Sequence, residues 1–261
     1  MESVKLLSLK EQTYTMKESL RALKTNLQFC GRDIKTILVT SAVANEGKST
    51  VTMELARSLT ESGKNVLILD TDMRKSVLVG RHQVQPSNGE IRGLSHYLSG
   101  LCRLEEALYA TDVPQLYMIF AGTNVPNPTE LLEKSYFDSL LEFLREHFDY
   151  VLIDTPPLTA AIDAAVIAEK CDGAILVVAQ GKTSSRLIKG IKKQLEASGV
   201  KILGVVLNKM NMRKNNYYGY RSYYGKYYER KKKHKPFKAS RGSSALYLHD
   251  YSNLRHSRIC N

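Results

Sequence analysis

Thr36-Ile-Leu-Val-Thr-Ser-Ala42-Val-Ala-Asn45-Glu46-Gly47-Lys48-Ser49-Thr50 decides the fold. A short apolar run rich in β-branched residues reads as a buried strand. From Lys48 onward, Val51, Leu55 and Leu59 keep helical spacing until Gly63, a plausible stop. The turn between them matches the phosphate-loop pattern GxxxxGK[ST], with Ala42 in place of the first glycine. In such a loop backbone N–H groups wrap phosphates and the helix N-terminus adds its dipole. The lysine bridges the terminal phosphates and the hydroxyl ligates Mg2+. Asn45, Glu46, Gly47, Lys48, Ser49 and Thr50 are therefore the expected nucleotide-binding residues. A plain strand–helix turn is the bland reading, and the flanking strand and helix argue against it.

Working outward, four more apolar runs read as strands: Val66–Leu69, Tyr150–Ile153, Gly173–Val178 and Ile202–Leu207. Helical stretches alternate with them. Residues 1–35 read as a helical lead-in, with Leu20, Leu23 and Leu27 on one face, and Gly93–Leu108 and Thr129–His147 read as helices. Continuous apolar strands alternating with helices specify an α/β fold with a mostly parallel sheet covered on both faces. In such a sheet the carboxyl ends of the strands line the ligand crevice. Asp70-Thr-Asp72-Met-Arg74 follows the second strand and Asp154-Thr-Pro-Pro the third. Carboxylates beside a Mg2+–nucleotide can hold the metal or its waters, or accept a proton from an attacking hydroxyl. A single aspartate there could cap the next helix; two clusters plus the loop are poorly explained that way.

Composition narrows the class. Among 261 residues, 43% are hydrophobic, ordinary for a globular chain, and no apolar run reaches a membrane span. The first residues lack the apolar block of a signal peptide. Cysteines at 30, 102, 171 and 260 form no CxxC pair or metal spacing, which points to reduced thiols and away from an iron–sulfur carrier. The net charge is +12, but residues 1–212 hold 25 Lys/Arg against 24 Asp/Glu, whereas 213–261 hold 13 against two. The body is neutral and the excess lies in the tail. Within it, residues 217–228 carry seven of the fifteen tyrosines: Tyr217, Tyr218, Tyr220, Tyr223, Tyr224, Tyr227 and Tyr228. Set among Asn, Gly, Arg, Ser and Lys, they are poor core residues. They suit either stacking on single-stranded nucleic acid or modification in a mobile tail.

The trio AxxxxGKST, VLILDTDMR and VLIDTPP resembles the three nucleotide motifs of the bacterial tyrosine kinases that govern capsule and exopolysaccharide synthesis. These are P-loop proteins related to MinD/ParA ATPases. The likeness runs from about residue 14 to 228. It includes Gly122-Thr-Asn-Val-Pro-Asn127-Pro128-Thr-Glu130-Leu-Leu, similar to that family's GxxPPNPxELL segment. The chain's size resembles the Gram-positive form, a separate cytoplasmic kinase. The resemblance implies ATP and Mg2+ as cofactors, Lys48 and Ser49 on phosphates and metal, Asp70 as the base for a tyrosine hydroxyl, and Asp72 and Asp154 at Mg2+. It leaves Arg74 as a motif residue of open role. It makes the tyrosine cluster an autophosphorylation substrate, reached between subunits, rather than a nucleic-acid surface.

Glu18, Arg21 and Lys24 match an ExxRxxR motif of subunit contacts in a ring, although Lys24 lacks the guanidinium fork. Without the resemblance these three read as a solvated helix face. Asn45 stands where the family has Gly, and Asn tolerates left-handed backbone. The resemblance further implies a transmembrane activator of the polysaccharide co-polymerase type, a cognate tyrosine phosphatase, and a cytoplasmic protein recruited to the inner face of the membrane through its partner. The expected organisation is a lead-in (1–35), a kinase domain (36–212), a tyrosine-rich basic tail (213–235) and an extension without assigned role (236–261). The alternative is a MinD/ParA-type ATPase switch that binds membrane or DNA; the DxDxR run, the NPxELL segment and the tyrosines weigh against it.

Overall fold

The computed structural model describes residues 2–210 and 248–249. The tyrosine cluster 217–228 lies outside them, as does the extension 236–261 apart from Leu248–His249.

The decisive stretch folds as read. Strand β2 (Thr36–Ser41) is buried throughout and delivers the chain through a loop into the 13-residue helix that starts at Lys48. In chain order the elements are β1 (Glu2–Leu6), α1 (Tyr14–Phe29), β2, α2 (Lys48–Thr60), β3 (Val66–Asp70), α3 (Leu78–His82), β4 (Val84–Pro86), α4 (Leu94–Leu98) and α5 (Leu104–Ala107). Then follow β5 (Leu108–Thr111), β6 (Leu116–Ile119), α6 (Pro128–Glu133), α7 (Ser135–His147), β7 (Tyr150–Asp154), α8 (Asp163–Ala168), β8 (Gly173–Ala179), α9 (Ser185–Ala197), β9 (Ile202–Asn208) and β10 (Leu248–His249).

One sheet runs in the order β10-β9-β8-β2-β7-β3-β6-β5-β1-β4. From β9 to β6 every pairing is parallel. The antiparallel pairings lie toward the edges, β6 with β5, β1 with β4 and β9 with β10. Because side chains alternate along a strand, one β2 face sends Ile37 and Val39 against Leu20, Leu23 and Leu27 of α1 and Val51, Leu55 and Leu59 of α2. Leu38 points the other way, into a layer built by Leu132 of α6, Phe137 and Leu144 of α7, Ile167 of α8 and Leu195 of α9. Each such side chain contributes about 1.5–3 kcal/mol by leaving water. The helices thus hold the parallel strands in register, with the carboxyl ends of β2, β3 and β7 on one edge.

Three readings need correction. The lead-in is not wholly helical, since Glu2–Leu6 is a strand that buries only Val4 and Leu6. A period of two over five residues is a weak signal, and pairing with β5 and β4 supplies what the pattern lacks. Gly93–Leu108 is not one helix. Two short turns flank a break at Gly100, whose φ of 72° suits glycine, and β5 and β6 follow as a hairpin. Thr129–His147 divides at Lys134, whose extended backbone (ψ 150°) separates α6 from α7.

Candidate functional site

The loop between β2 and α2 is held from behind. Glu46 is fully buried, and its carboxylate accepts from the N–H of Val43 (2.9 Å), the N–H of Ala179 (3.1 Å) and the hydroxyl of Thr183 (2.7 Å). Its side chain therefore anchors the loop to the end of β8. Three of its carbonyls are taken by donors at or beyond the ends of β8 and β9: Lys182 Nζ donates to Ala44 O (2.6 Å), Lys209 Nζ to Asn45 O (2.7 Å) and Asn208 Nδ2 to Glu46 O (2.9 Å). With these carbonyls engaged, the loop's remaining N–H groups are left to serve a ligand. Asn45 has φ 61°, the left-handed geometry its side chain tolerates. Gly47 has φ 97°, and a Cβ there would sit 2.1 Å from Asn208 Nδ2. It offers no side chain to cap α2, so the helix N-terminus stays open to a ligand. Lys48 and Ser49, the first two residues of α2, are buried at this point, while Thr50 receives a hydrogen bond from Arg81 (2.9 Å).

Two carboxylates face each other beside the loop. Asp70 and Asp154 are register partners on the adjacent strands β3 and β7, exposed by only 1% and 2%. Burial raises Asp70 to about 7, helped by the charge of Asp154 and opposed by hydrogen bonds from the Ser76 hydroxyl (2.5 Å) and the Asp72 N–H (3.1 Å). Burial raises Asp154 to about 6, opposed by the Lys48 ammonium and a Ser49 hydrogen bond. Asp154 Oδ1 is buried without a hydrogen-bond partner among the described residues. A bare carboxylate oxygen beside a serine hydroxyl is a hard-oxygen donor set and fits Mg2+. No group of three or more His, Cys, Asp or Glu gathers as a metal cluster among the described residues.

The remaining expected residues divide. Asp72 is half-exposed and its Oδ1 accepts from the Lys75 N–H (3.0 Å), which fixes the turn after β3. Arg74 gains a partner that the motif did not suggest, forming a two-pronged contact with Asp163 (Nε–Oδ2 2.7 Å, Nη2–Oδ1 3.0 Å). Glu18 and Arg21 pair on the exposed face of α1 (2.5 Å), and Lys24 reaches Ser62 beyond the end of α2. Asn208, Lys209, Thr183 and Ser76 were not anticipated. Asn208 had a readable signal, because it ends an apolar strand on the ligand edge as Asp70 and Asp154 do. Ser76 had none, since its part depends on how the turn folds back.

A family model described as an AAA domain matches residues 34–199. The tyrosine-protein kinase CpsD of Streptococcus agalactiae is 40% identical over 212 residues, which cover 81% of this chain and 91% of that protein. The putative tyrosine-protein kinase CapB of Staphylococcus aureus is 34% identical over 215 residues, 81% and 91% of the two chains. Among solved structures, the chimerical protein CapA2B2 superposes with a TM-score of 0.69 at 30% identity, covering 74% of this chain and 84% of the other. The septum site-determining protein MinD of Pyrococcus horikoshii, complexed with Mg-ADP, shares the fold at a TM-score of 0.55 and 24% identity, over 66% and 69%. A phosphate loop pinned at its back, an aspartate pair on adjacent strand ends and relatives of this kind lead to one assignment: the chain belongs to the bacterial tyrosine-protein kinases, built on the P-loop ATPase fold.

Proposed function

We propose that the chain transfers the γ-phosphoryl group of ATP to tyrosines, first among them Tyr217, Tyr218, Tyr220, Tyr223, Tyr224, Tyr227 and Tyr228 of a neighbouring copy, and so regulates capsular or extracellular polysaccharide synthesis. The observation that carries the reading is the Asp70–Asp154 pair beside the phosphate loop. With its pKa raised to about 7, Asp70 is a far stronger base than an ordinary carboxylate and is still substantially ionised at neutral pH. It takes the proton of the tyrosine hydroxyl as that oxygen bonds to phosphorus and the bond to ADP breaks. Lys48 and the loop N–H groups, from Asn45 to Thr50, hold the phosphates. Ser49, Asp154 and Asp72 would hold Mg2+ directly or through water. The metal supplies neutralisation of the charge that builds on the phosphoryl oxygens.

Glu18, Arg21 and Lys24 lie on an exposed helix face and are proposed to join copies in a ring. No described helix is long and apolar enough to cross a membrane. Recruitment to the inner membrane face through a transmembrane activator, and reversal by a tyrosine phosphatase, complete the proposal. The test is intact mass and a phosphopeptide map after incubation with Mg2+–ATP, beside Lys48→Met and Asp70→Asn. Phosphate on residues 217–228 in the wild type alone supports it. Phosphate release stimulated by DNA or vesicles, with no phosphotyrosine, overturns it in favour of an ATPase switch.

A further inference from the structure

Two segments singled out by their resemblance have no part in the reaction above: Arg74 at the end of the DxDxR run, and the Asn127-Pro128-Thr129-Glu130 turn that opens α6. They meet on a residue that belongs to no motif. Asp163 begins α8, and its side chain is wholly buried. Its Oδ2 accepts from Arg74 Nε (2.7 Å), and its Oδ1 accepts from both Arg74 Nη2 (3.0 Å) and the Thr129 hydroxyl (2.6 Å). Arg74 Nη2 also donates to Thr129 Oγ1 (3.4 Å). Burial pushes the Asp163 carboxyl up, and the Arg74 and Thr129 hydrogen bonds outweigh it and hold the group below the usual carboxylate range.

The placement gives this knot a purpose. Arg74 ends the turn that carries Asp72 and follows Asp70. Asp163 starts the helix reached from Asp154 through residues 155–162. Thr129 fixes both to α6, which packs on α8. The strands set Asp70 against Asp154 and hold Thr71, whose N–H (2.9 Å) and hydroxyl (2.8 Å) both bond Asp154 O, but that pairing does not reach residues 72–76, from which Asp72 N–H and Ser76 Oγ both bond to Asp70.

We infer that Arg74, Asp163 and Thr129 form a positioning clamp that locks the 71–76 turn against α8 and thereby holds Asp70 and Asp72 in place for phosphoryl transfer to tyrosine. The inference rests on the kinase reading of the site. A guanidinium reaches both carboxylate oxygens at once, which an ammonium cannot do. Arg74→Lys therefore keeps the charge and loses the fork.

The experiment uses the full chain with Arg74→Lys and with the double variant Arg74→Gln/Asp163→Asn, which leaves no lone buried charge. For both, kcat for tyrosine phosphorylation is expected to fall about 10- to 100-fold, the cost of a small misplacement. The KM for ATP stays within about twofold of wild type, and hydrogen exchange at residues 71–76 accelerates while α2 and β7 stay protected. A double variant that folds and keeps both wild-type kcat and wild-type exchange at 71–76 overturns the clamp. Loss of kcat together with ATP affinity and general protection also overturns it, by making these residues a fold anchor only. If the wild type transfers no phosphate to tyrosine yet exchange at 71–76 still rises in the variants, the kinase reading fails and the clamp on the turn stands.

Discussion

The two ends of one sheet treat the same side chain in opposite ways. At the amino ends, Asp172 precedes β8 and faces the start of β2. Its Oδ2 accepts from the N–H groups of Lys35 (2.9 Å) and Thr36 (2.8 Å) and from the Thr36 hydroxyl (2.8 Å), and its Oδ1 accepts from Arg145 (2.5 Å). Burial pushes it up, and those bonds together overcome burial and hold it below the usual range. At the carboxyl ends, Asp70 and Asp154 are buried more deeply and bonded less, and both stay raised. The first end is a fastening. The second is a standing cost to the charged forms that protonation or a bound cation would relieve, as expected of a binding site.

Asp70→Asn tests this contrast hardest. The phosphotyrosine initial rate is expected to fall about 10²- to 10⁴-fold, as for loss of a general base, while thermal stability of the ligand-free protein holds or rises. A drop in Tm beside a retained rate would erase the distinction between the two ends. The mirror change, Asp172→Ala, strands two backbone donors and Arg145. It is expected to cost about 3 kcal/mol, or roughly 10 °C in Tm by calorimetry, with activity per folded molecule unchanged.

Titration reads both ends at once. Asp70 and Asp154 have folded pKa values of about 7 and 6, above the unfolded value of 3.8. Stability tied to them is full below pH 4 and is lost as pH rises through 6 to 7. Asp172 is shifted the other way, so its contribution is present at neutral pH and lost in acid. Urea unfolding without nucleotide from pH 4 to 8 should show the decline, and Asp70→Asn/Asp154→Asn should flatten it. The smallest effect expected is in Ser76→Ala, which removes a bond that lowers Asp70. The acid limb of the kcat–pH profile should move up by about one unit.

Much of this was legible. Strands β2, β3, β7, β8 and β9 are continuous apolar runs, and a covered parallel sheet requires that pattern. The loop and both acidic strand ends followed from the rule that ligands sit at the carboxyl edge. What escaped notice depends on partners distant in sequence. Strand β1 needs β5 and β4 to exist at all. Glu46, read as a nucleotide contact, turns its carboxylate away to Ala179 and Thr183, more than a hundred residues on. Asp163 shows nothing in its neighbours to distinguish it from any helix-opening aspartate. Arg74 was visible as a motif residue, but its partner was not.

The phosphate loop also sets its own tolerance to change. The pattern's first glycine is here Ala42, a fully buried member of the core whose backbone is not left-handed. The second, Gly47, is constrained by both its φ and the amide of Asn208 behind it. The two glycines of one pattern therefore answer to different masters, the first to packing volume and the second to backbone shape. In a saturation library selected for nucleotide binding, position 42 should admit more than one small residue, whereas position 47 should return glycine alone.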